Sequence, residues 1–137
     1  MKEFGCPSNA IITPHPGEAA MLLDCSVEEL QKNRLEAAKE LYKKYNCLII
    51  LKGYQTIVFD GEAYQCTDGG PALSTAGTGD VLAGLIGSFL AQGLSKIDAA
   101  RFSVAIHGAA GDKFSKNKGR RGLTATKLIN IINEEML

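Results

Sequence analysis

The chain has 137 residues, of which 45% are apolar and 22% charged, and its formal net charge is zero. That length can bury a core, and the zero net charge removes the general attraction of nucleic acids and anionic membranes for basic proteins. No apolar run reaches membrane-spanning length, and residues 1–5 lack the architecture of a signal peptide. We therefore expect a cytoplasmic protein with neither a nucleic-acid nor a membrane partner.

The chain shows strand and helix patterns in alternation, followed by helices. The first half predicts a strand at 9–13, a helix at 18–23, a helix from 26 to about 45 with a possible break near 33, a strand at 47–51, and a hairpin of 56–59 with 62–66. Ser26 and Glu29 form a capping box, and Asp60-Gly61 is a strong hairpin turn. The uninterrupted apolar run at 47–51 is typical of a strand covered on both faces, as in a parallel sheet.

The second half predicts three helices, at 79 to about 92, 97 to about 115, and 125 to about 135. Ser95 and Thr124 are the expected N-caps of the last two. Four glycines lie within these helical patterns, where alanine would be more stable, so we expect close helix packing at each: Gly84, Gly87, Gly108 and Gly111. The order of elements predicts a layered α/β architecture.

Four cysteines are spread widely, with no C-x-x-C pair and no histidine at metal-binding spacing: Cys6, Cys25, Cys47 and Cys66. We expect reduced thiols in a cytosolic protein. A secreted fold with two disulfides is the less favoured alternative, because the apolar content does not require covalent staples.

The most informative segment is Gly77-Thr78-Gly79-Asp80, which directly precedes an apolar helical pattern. Glycines at the start of a helix leave backbone amides accessible, and such amides bind anions. A carboxylate at the same place would repel the anion, so the presence of Asp80 calls for a functional explanation. Phosphoryl transfer supplies one, with Asp80 taking a proton from the accepting hydroxyl. The segment is neither a P-loop nor a dinucleotide fingerprint. Taken alone, it is equally compatible with a glycine-rich helix cap.

Two further loops follow predicted strands: Pro14–Gly17 and Lys52-Gly53. Because ligands collect beyond the carboxyl ends of parallel strands, we expect both loops at one edge of the sheet, where the Gly77–Asp80 turn joins them. Lys52 ends an apolar run, so its ammonium either reaches solvent or faces an anion.

Other polar residues have structural interpretations that compete with functional ones. His15, between two prolines, reads from the bare sequence as a surface-loop histidine. His107 lies in an apolar helical pattern, which favours a packed histidine with hydrogen-bonded nitrogens. Arg120 and Arg121 are able to clamp a phosphate, but a solvated loop is the favoured interpretation.

Taken together, these motifs resemble those of the NAD(P)H-hydrate dehydratases, repair enzymes of the ribokinase-like superfamily. The resemblance rests on T-P-H-P-G-E at 13–18, L-K-G at 51–53, the Gly77–Asp80 segment, I-H-G-A-A-G-D at 106–112 and R-G-L-T-A at 121–125. It implies an α/β, ribokinase-like layered sandwich with a mainly parallel central sheet flanked by helices. The family's domain extends upstream of the segment matching Ile11, so residues 1–137 are expected to form the C-terminal part of one domain.

The resemblance also implies a reaction: ADP or ATP phosphorylates the ring hydroxyl of hydrated NADH or NADPH, and the phosphate then leaves. Asp80 would be the catalytic base and contact substrate, and His15 would contact the hydrated nucleotide. The adenosine nucleotide would lie on Lys52, Gly53, Tyr54, Gln55, Thr56, Ala76, Gly77, Thr78 and Gly79. Magnesium would bind mainly phosphates and water, because no carboxylate pair has metal-binding spacing. We expect either a homo-oligomer or association with the missing N-terminal half.

Two alternatives remain open at this point. One is a small-molecule kinase of the same superfamily acting on a vitamin precursor, which shares G-T-G-D but not T-P-H-P-G-E or the 106–112 pattern. The other is a nucleotide-binding fragment that is inactive alone, because absent upstream strands would leave a sheet edge unpaired.

Overall fold

The structure is a computed structural model that describes residues 5–137, so most of the segment examined for a signal peptide lies outside it. The described chain consists of two compact units, one ending at Gln65 and the other spanning Cys66–Leu137. Across residues 5–137, no helix combines the length and apolar content needed to cross a membrane.

The described part of the first unit contains a four-stranded sheet. Its strands, in spatial as well as chain order, are β1 (Ile11–Ile12), β2 (Leu48–Leu51), β3 (Ile57–Phe59) and β4 (Ala63–Gln65). β1 pairs with β2 in parallel, and the other two pairings are antiparallel. The described sheet is therefore mixed. The mainly parallel sheet that was expected is represented here by the β1–β2 pair, and the predicted hairpin, which is confirmed, supplies β3 and β4.

Three helices complete the first unit: α1 (Pro16–Leu23), α2 (Val27–Lys32) and α3 (Arg34–Tyr45). The predicted capping box is confirmed, since the Ser26 hydroxyl accepts from the Glu29 amide at 3.1 Å and the Glu29 carboxylate accepts from the Ser26 amide at 3.1 Å. The predicted break is also confirmed. Asn33 ends α2, and its side-chain oxygen accepts from the Glu36 amide to begin α3.

The core of the first unit lies between α3 and strands β2 and β3. Ala38 and Leu41 of α3 are fully buried with Ile49 and Leu51 of β2. All four residues of β2 are fully buried, so the prediction of a strand covered on both faces is confirmed. This buried strand gives the loops at its ends a rigid base.

The second unit is helical in its described residues. It begins with a short 3₁₀ turn (Pro71–Leu73) and continues with α4 (Thr78–Ala91), α5 (Lys96–Lys118) and α6 (Ala125–Ile131), which is extended by a π-helical turn over Ile132–Met136. The two predicted N-caps are confirmed by hydrogen bonds of 3.2 Å, from the Asp98 amide to Ser95 and from the Lys127 amide to Thr124. Phe114, Leu123 and Leu128 are among the buried residues of this unit's core.

The helical glycines divide into two pairs. A Cβ at Gly108 would lie 2.8 Å from the Asp68 carbonyl oxygen, and one at Gly111 would lie 2.6 Å from Leu73. Close packing is therefore confirmed for this pair, although the neighbours are a loop and the 3₁₀ turn. For Gly84 and Gly87 the prediction is wrong, because no atom of the described residues lies within 4 Å of either Cβ position, apart from the chain neighbours and the helix's own backbone. Both are exposed, and nothing in the structure explains glycine there.

Candidate functional site

The loops that follow β1 and β2 meet at one edge of the first unit. The Lys52 amide donates a 2.9 Å hydrogen bond to the Pro14 carbonyl, directly joining the two loops. This contact follows from the parallel pairing of Ile11 with Leu48 and Ile12 with Ile49, which brings the carboxyl ends of both strands together. The predicted meeting of the Pro14–Gly17 and Lys52-Gly53 loops is therefore confirmed.

His15 is the N-cap of α1, a structural role that the sequence analysis missed. Its Nδ1 accepts from the Glu18 amide at 3.2 Å, and the Glu18 carboxylate accepts from the His15 amide at 2.8 Å. With Nδ1 accepting, the ring proton lies on Nε2, 3.5 Å from Glu18 Oε1. The signal was present in the sequence, because the spacing of His15 and Glu18 is that of a capping box. The imidazole remains exposed, so it is accessible to a ligand.

A cavity of about 370 Å³ opens beside the end of β1 and the first turns of α1. It is lined by Ile12, Thr13, Pro14, Glu18, Met21 and Leu22. Most of this lining is apolar, and the polar groups lie at Thr13 and Glu18, on either side of His15 in the sequence. Such a combination suits a ligand with an apolar body and a few polar substituents.

The Lys52–Thr56 segment is a tight turn with two left-handed residues, Gly53 at φ +136° and Gln55 at φ +56°. The Thr56 hydroxyl donates to the Gly53 carbonyl at 3.1 Å, and the Gln65 side-chain amide donates to Gln55 Oε1 at 2.9 Å. Tyr54 at the tip is 74% exposed. The turn is thus internally braced, with an aromatic ring presented to solvent.

Arg34 of α3 stabilises this turn by hydrogen bonds to its backbone, a role that the sequence did not predict. Its Nη2 donates to the carbonyls of Leu51 and Lys52, both at 3.2 Å. Burial lowers the pKa of Arg34. A Cβ on Gly53 would lie only 2.8 Å from Arg34 Nη1, so the glycine admits the guanidinium. No local sequence pattern predicts a contact between α3 and the end of β2.

A second cavity, of about 310 Å³, lies where α2 and α3 meet the same turn. Its lining consists of Lys32, Asn33, Arg34, Leu35, Tyr54, Gln55, Ile57, Ala63 and Gln65. Two cationic side chains and three amide side chains belong to this set, and no carboxylate does. The cavity therefore favours an anionic or hydrogen-bonding ligand.

In the second unit, Gly77 makes the sharp entry into α4. It has φ +88° and is the N-cap residue, with no side-chain cap of its own. A Cβ there would lie 3.1 Å from Ala125 Cβ, so glycine is needed both for the conformation and for the space.

The start of α4 leaves several polar groups without partners in the described chain. The amides of Ala76, Gly77 and Gly79 make no hydrogen bond to any of residues 5–137, whereas the Thr78 amide donates to the Thr75 carbonyl at 3.3 Å. The Asp80 carboxylate is exposed and has no hydrogen bond or ion pair within the same residues. Unbonded amides at a helix N-terminus attract anions, and an adjacent carboxylate without a partner is able to accept a proton.

Two side chains hold this turn in place. The Thr78 hydroxyl, only 4% exposed as a residue, lies 2.6 Å from the Leu73 carbonyl and 2.8 Å from the Thr75 carbonyl, either of which accepts its proton. His107 of α5 donates its Nε2 proton to the Thr78 carbonyl at 2.8 Å. The predicted hydrogen bonding of His107 is confirmed at this nitrogen, and the bond fixes the first residue of α4.

The remaining candidate groups in the second unit have structural surroundings. Asp112 accepts from the Gly69 amide at 3.0 Å, which ties the loop before the 3₁₀ turn to α5. Arg120 and Arg121 are exposed in the loop after α5, as the solvated-loop interpretation predicts. Within residues 5–137, no group of three or more His, Cys, Asp or Glu side chains is placed to hold a metal ion.

The structure thus assembles the candidate residues in two groups. The His15 loop and the Lys52–Thr56 turn share the edge of the first unit, and the Gly77–Asp80 turn is held by His107 in the second. That the Gly77–Asp80 turn joins the edge of the sheet stays a prediction, as do the ligand contacts of each residue.

Comparison with known proteins gives a consistent family. The family model described as NAD(P)H-hydrate dehydratase matches residues 3–134. The bifunctional NAD(P)H-hydrate repair enzyme Nnr of Vibrio cholerae is 44% identical over 125 residues, which cover 90% of this chain and 25% of that protein.

Two solved structures show the same fold. The ADP/ATP-dependent NAD(P)H-hydrate dehydratase of Bacillus subtilis, co-crystallised with ATP/Mg²⁺, is 35% identical with a TM-score of 0.87, over 91% of this chain and 46% of that one. A ribokinase-like superfamily protein of Enterococcus faecalis is 30% identical with a TM-score of 0.81, over 96% of this chain and 46% of that one. The expected ribokinase-like α/β fold is confirmed. The chain spans less than half the length of each of these relatives.

Proposed function

The chain belongs to the NAD(P)H-hydrate dehydratase family, and we propose that it contributes the catalytic turn for the ADP- or ATP-dependent dehydration of hydrated NADH or NADPH. The observation that carries the proposal is the start of α4, where three unbonded amides lie beside the unpartnered carboxylate of Asp80. Support also comes from the Bacillus subtilis relative, an ADP/ATP-dependent enzyme that was crystallised with ATP/Mg²⁺.

The proposed chemistry assigns separate tasks to the amides and to the carboxylate. Asp80 takes the proton of the ring hydroxyl as its oxygen attacks the terminal phosphoryl group of the nucleotide. The amides of Ala76, Gly77 and Gly79 stabilise the charge on the phosphoryl oxygens. The ring nitrogen lone pair then expels the phosphate as the C–O bond breaks, and loss of a neighbouring C–H proton restores the dihydropyridine.

The first unit supplies most of the binding contacts in this proposal. His15 contacts the hydrated nucleotide in this proposal. Its imidazole is exposed and lies in the loop between β1 and α1, where it is accessible to a ligand. The braced turn of Lys52, Gly53, Tyr54, Gln55 and Thr56, with Ala76 to Gly79, contacts the adenosine nucleotide. The Lys52 ammonium has no ion pair among residues 5–137, so its charge is available to a phosphate.

In this proposal, magnesium binds to the nucleotide rather than to side chains of the protein. The described residues offer no three-ligand cluster, so they do not fit a cation held by the protein alone. Mg²⁺ prefers phosphate and water oxygens and would bind there as the counter-ion of the nucleotide.

We also propose that residues 1–137 form the C-terminal part of one ribokinase-like domain in a cytoplasmic protein. The extent of the Bacillus subtilis relative, about twice the matched length, supports the first point. The high apolar content, which does not require covalent staples, supports reduced thiols and a reducing compartment. The outer edge of β1 has no partner in the described sheet, which supports self-association or pairing with the rest of the domain.

The decisive experiment measures consumption of hydrated NADH, with ADP or ATP and Mg²⁺, by the complete protein and by its Asp80→Asn variant. Loss of a positioned general base reduces turnover by on the order of 10²–10⁴, while nucleotide affinity should stay within a few-fold. Asp98→Asn is the matched control, because Asp98 also lies exposed in the first turn of a helix but is engaged by the Ser95 hydroxyl at 2.7 Å.

Two results would overturn the proposal. Ordinary turnover by Asp80→Asn would remove that residue from the mechanism. Phosphorylation of a vitamin precursor, without any consumption of hydrated NADH, would instead assign the turn to a small-molecule kinase.

A further inference from the structure

Two cysteines 41 positions apart lie in direct contact in the first unit. Cys6 Sγ lies 3.3 Å from Cys47 Sγ, with the Cys6 thiol as the donor. We propose that Cys6 and Cys47 form a reversible intrachain disulfide when the protein meets a low-molecular-weight disulfide such as oxidised glutathione. This inference is independent of the proposed function and rests on the sulfur geometry alone.

The two sulfurs occupy suitable surroundings for closure. Cys47 is 2% exposed and directly precedes β2, so its position is set by the most buried strand of the unit. Cys6 is half-buried, packs against the same core and precedes β1. A disulfide requires a sulfur–sulfur distance of about 2.05 Å, so closure needs a shift of roughly 1 Å. The less buried Cys6 side chain is the one able to make it.

The exposure of the two residues also sets the order of steps. The Cys6 thiolate attacks one sulfur of the oxidised glutathione, forming a mixed disulfide and releasing one glutathione thiolate. The Cys47 thiolate then attacks the Cys6 sulfur, the new bond forms, and the second glutathione thiolate leaves. The two thiol protons pass to the two released glutathiones, so the protein loses two hydrogens and the oxidant is reduced to two thiols.

The other two cysteines provide an internal contrast. Cys66 is 3% exposed, and its thiol donates to the carbonyls of Asp68 and Val104. Burial raises the pKa of Cys66, with the charges of Asp68 and Asp112 adding to the effect, and among residues 5–137 its sulfur contacts carbonyl oxygens rather than a second sulfur. Cys25 is half-buried, but no other sulfur among residues 5–137 contacts its Sγ. We therefore expect oxidation of the two cysteines whose sulfurs are in contact, and not simply of the most exposed cysteine.

The bridge would close a loop that contains α1, α2 and α3. It would tie the segment before β1 to the start of β2, where Ile11 pairs with Leu48. Cross-linking residues this far apart restricts the unfolded chain, so the oxidised form should resist unfolding more than the reduced form.

The test incubates the folded chain with oxidised glutathione, alkylates the remaining thiols, and maps the peptides without reduction. We expect one linked peptide pair containing Cys6 and Cys47, alkylated Cys25 and Cys66, and a rise in Tm of roughly 10 °C that dithiothreitol reverses. The same incubation in urea is the control for folding, and it should give mixed pairings because the contact no longer exists.

Single substitutions of three cysteines show which thiols the bridge requires. Cys6→Ser and Cys47→Ser should each abolish both the linked peptide and the Tm shift, whereas Cys25→Ser should retain both. If Cys47→Ser fails to fold, Cys6→Ser alone decides, since that residue is only half-buried. Stable glutathionylation of Cys6 without closure, a bridge that includes Cys25 or Cys66, or no oxidation of the native chain would each overturn the proposal.

Discussion

The edge of the first unit and the turn before α4 in the second differ in how their polar groups are used. At the edge, the Lys52 amide, the His15 ring, the Thr56 hydroxyl and the Gln55 side chain all have partners within the unit. At the turn, the amides of Ala76, Gly77 and Gly79 have none in the described chain, nor does the Asp80 carboxylate.

Under the proposed function, this difference separates groups that shape the binding surface from groups that act on the transferred phosphoryl group. Polar groups that already have hydrogen-bond partners keep the loops in a fixed conformation, and that conformation determines which ligand fits. Groups left unsatisfied at a rigid helix start retain their full capacity for a charged ligand, because nothing must be broken when it arrives. Variants at the turn should therefore mainly lower turnover, and variants at the edge should mainly lower affinity and stability.

Among variants that keep the Asp80 carboxylate, the largest effect that tests this division is expected from Gly77→Ala. The substitution places a Cβ at φ +88°, where an L side chain is strained, and 3.1 Å from Ala125 Cβ, so the turn is distorted and its amides lose their orientation. Misplacing such donors costs on the order of 10²–10³ in turnover. Steady-state kinetics of the complete protein with hydrated NADH measures it.

Gly93→Ala is the matched control for that experiment. Gly93 has a similar φ of +89°, but apart from its chain neighbours its Cβ would meet no described atom within 4 Å, and it lies after the other end of α4. It should lose a comparable amount of stability, about 1 kcal/mol, and retain normal turnover. Equal turnover losses in both variants would show that general destabilisation, rather than the aim of the amides, controls the rate.

A smaller effect is expected from Arg34→Ala, which tests the edge. Removing the guanidinium leaves the carbonyls of Leu51 and Lys52 without their donor, at a cost of about 1–3 kcal/mol in unfolding free energy. The released turn should bind adenosine nucleotides more weakly, while the rate at saturating nucleotide stays near normal. Chemical denaturation and nucleotide titration measure the two quantities.

Lys39→Ala serves as the control for Arg34, because Lys39 lies on the same helix in an exposed pair with Glu36. Exposed pairs contribute about 0–1 kcal/mol, so both affinity and stability should change little. A fall in the rate at saturating nucleotide for Arg34→Ala, with unchanged affinity, would contradict the division between edge and turn.

The smallest effect concerns His15, whose two roles are separable. His15→Ala removes the cap of α1, which costs about 0.5–2 kcal/mol, and should also raise the Michaelis constant for the hydrated nucleotide. His15→Asn keeps a capping side chain and should restore stability while leaving that Michaelis constant raised. If asparagine restores both quantities, the imidazole acts only as a cap.

Local patterns predicted most of the secondary structure. The break at Asn33, the caps at Ser26, Ser95 and Thr124, and the Asp60-Gly61 hairpin depend on residues within a few positions of each other, and all are confirmed. The glycine-rich start of α4 was recognisable for the same reason. The prediction failed at Gly84 and Gly87, because packing depends on neighbours that the local pattern does not contain.

The sequence by itself therefore determined most of the helices and strands, the family motifs and the chemical types of the candidate residues. Only the tertiary structure decided which side chains support them. Arg34 reaches the end of β2 across 17 positions, and His107 reaches the start of α4 across 29. Cys6 meets Cys47 across 41. Contacts at such separations leave no local periodicity in the chain, because they depend on how whole elements pack rather than on the spacing of residues within one.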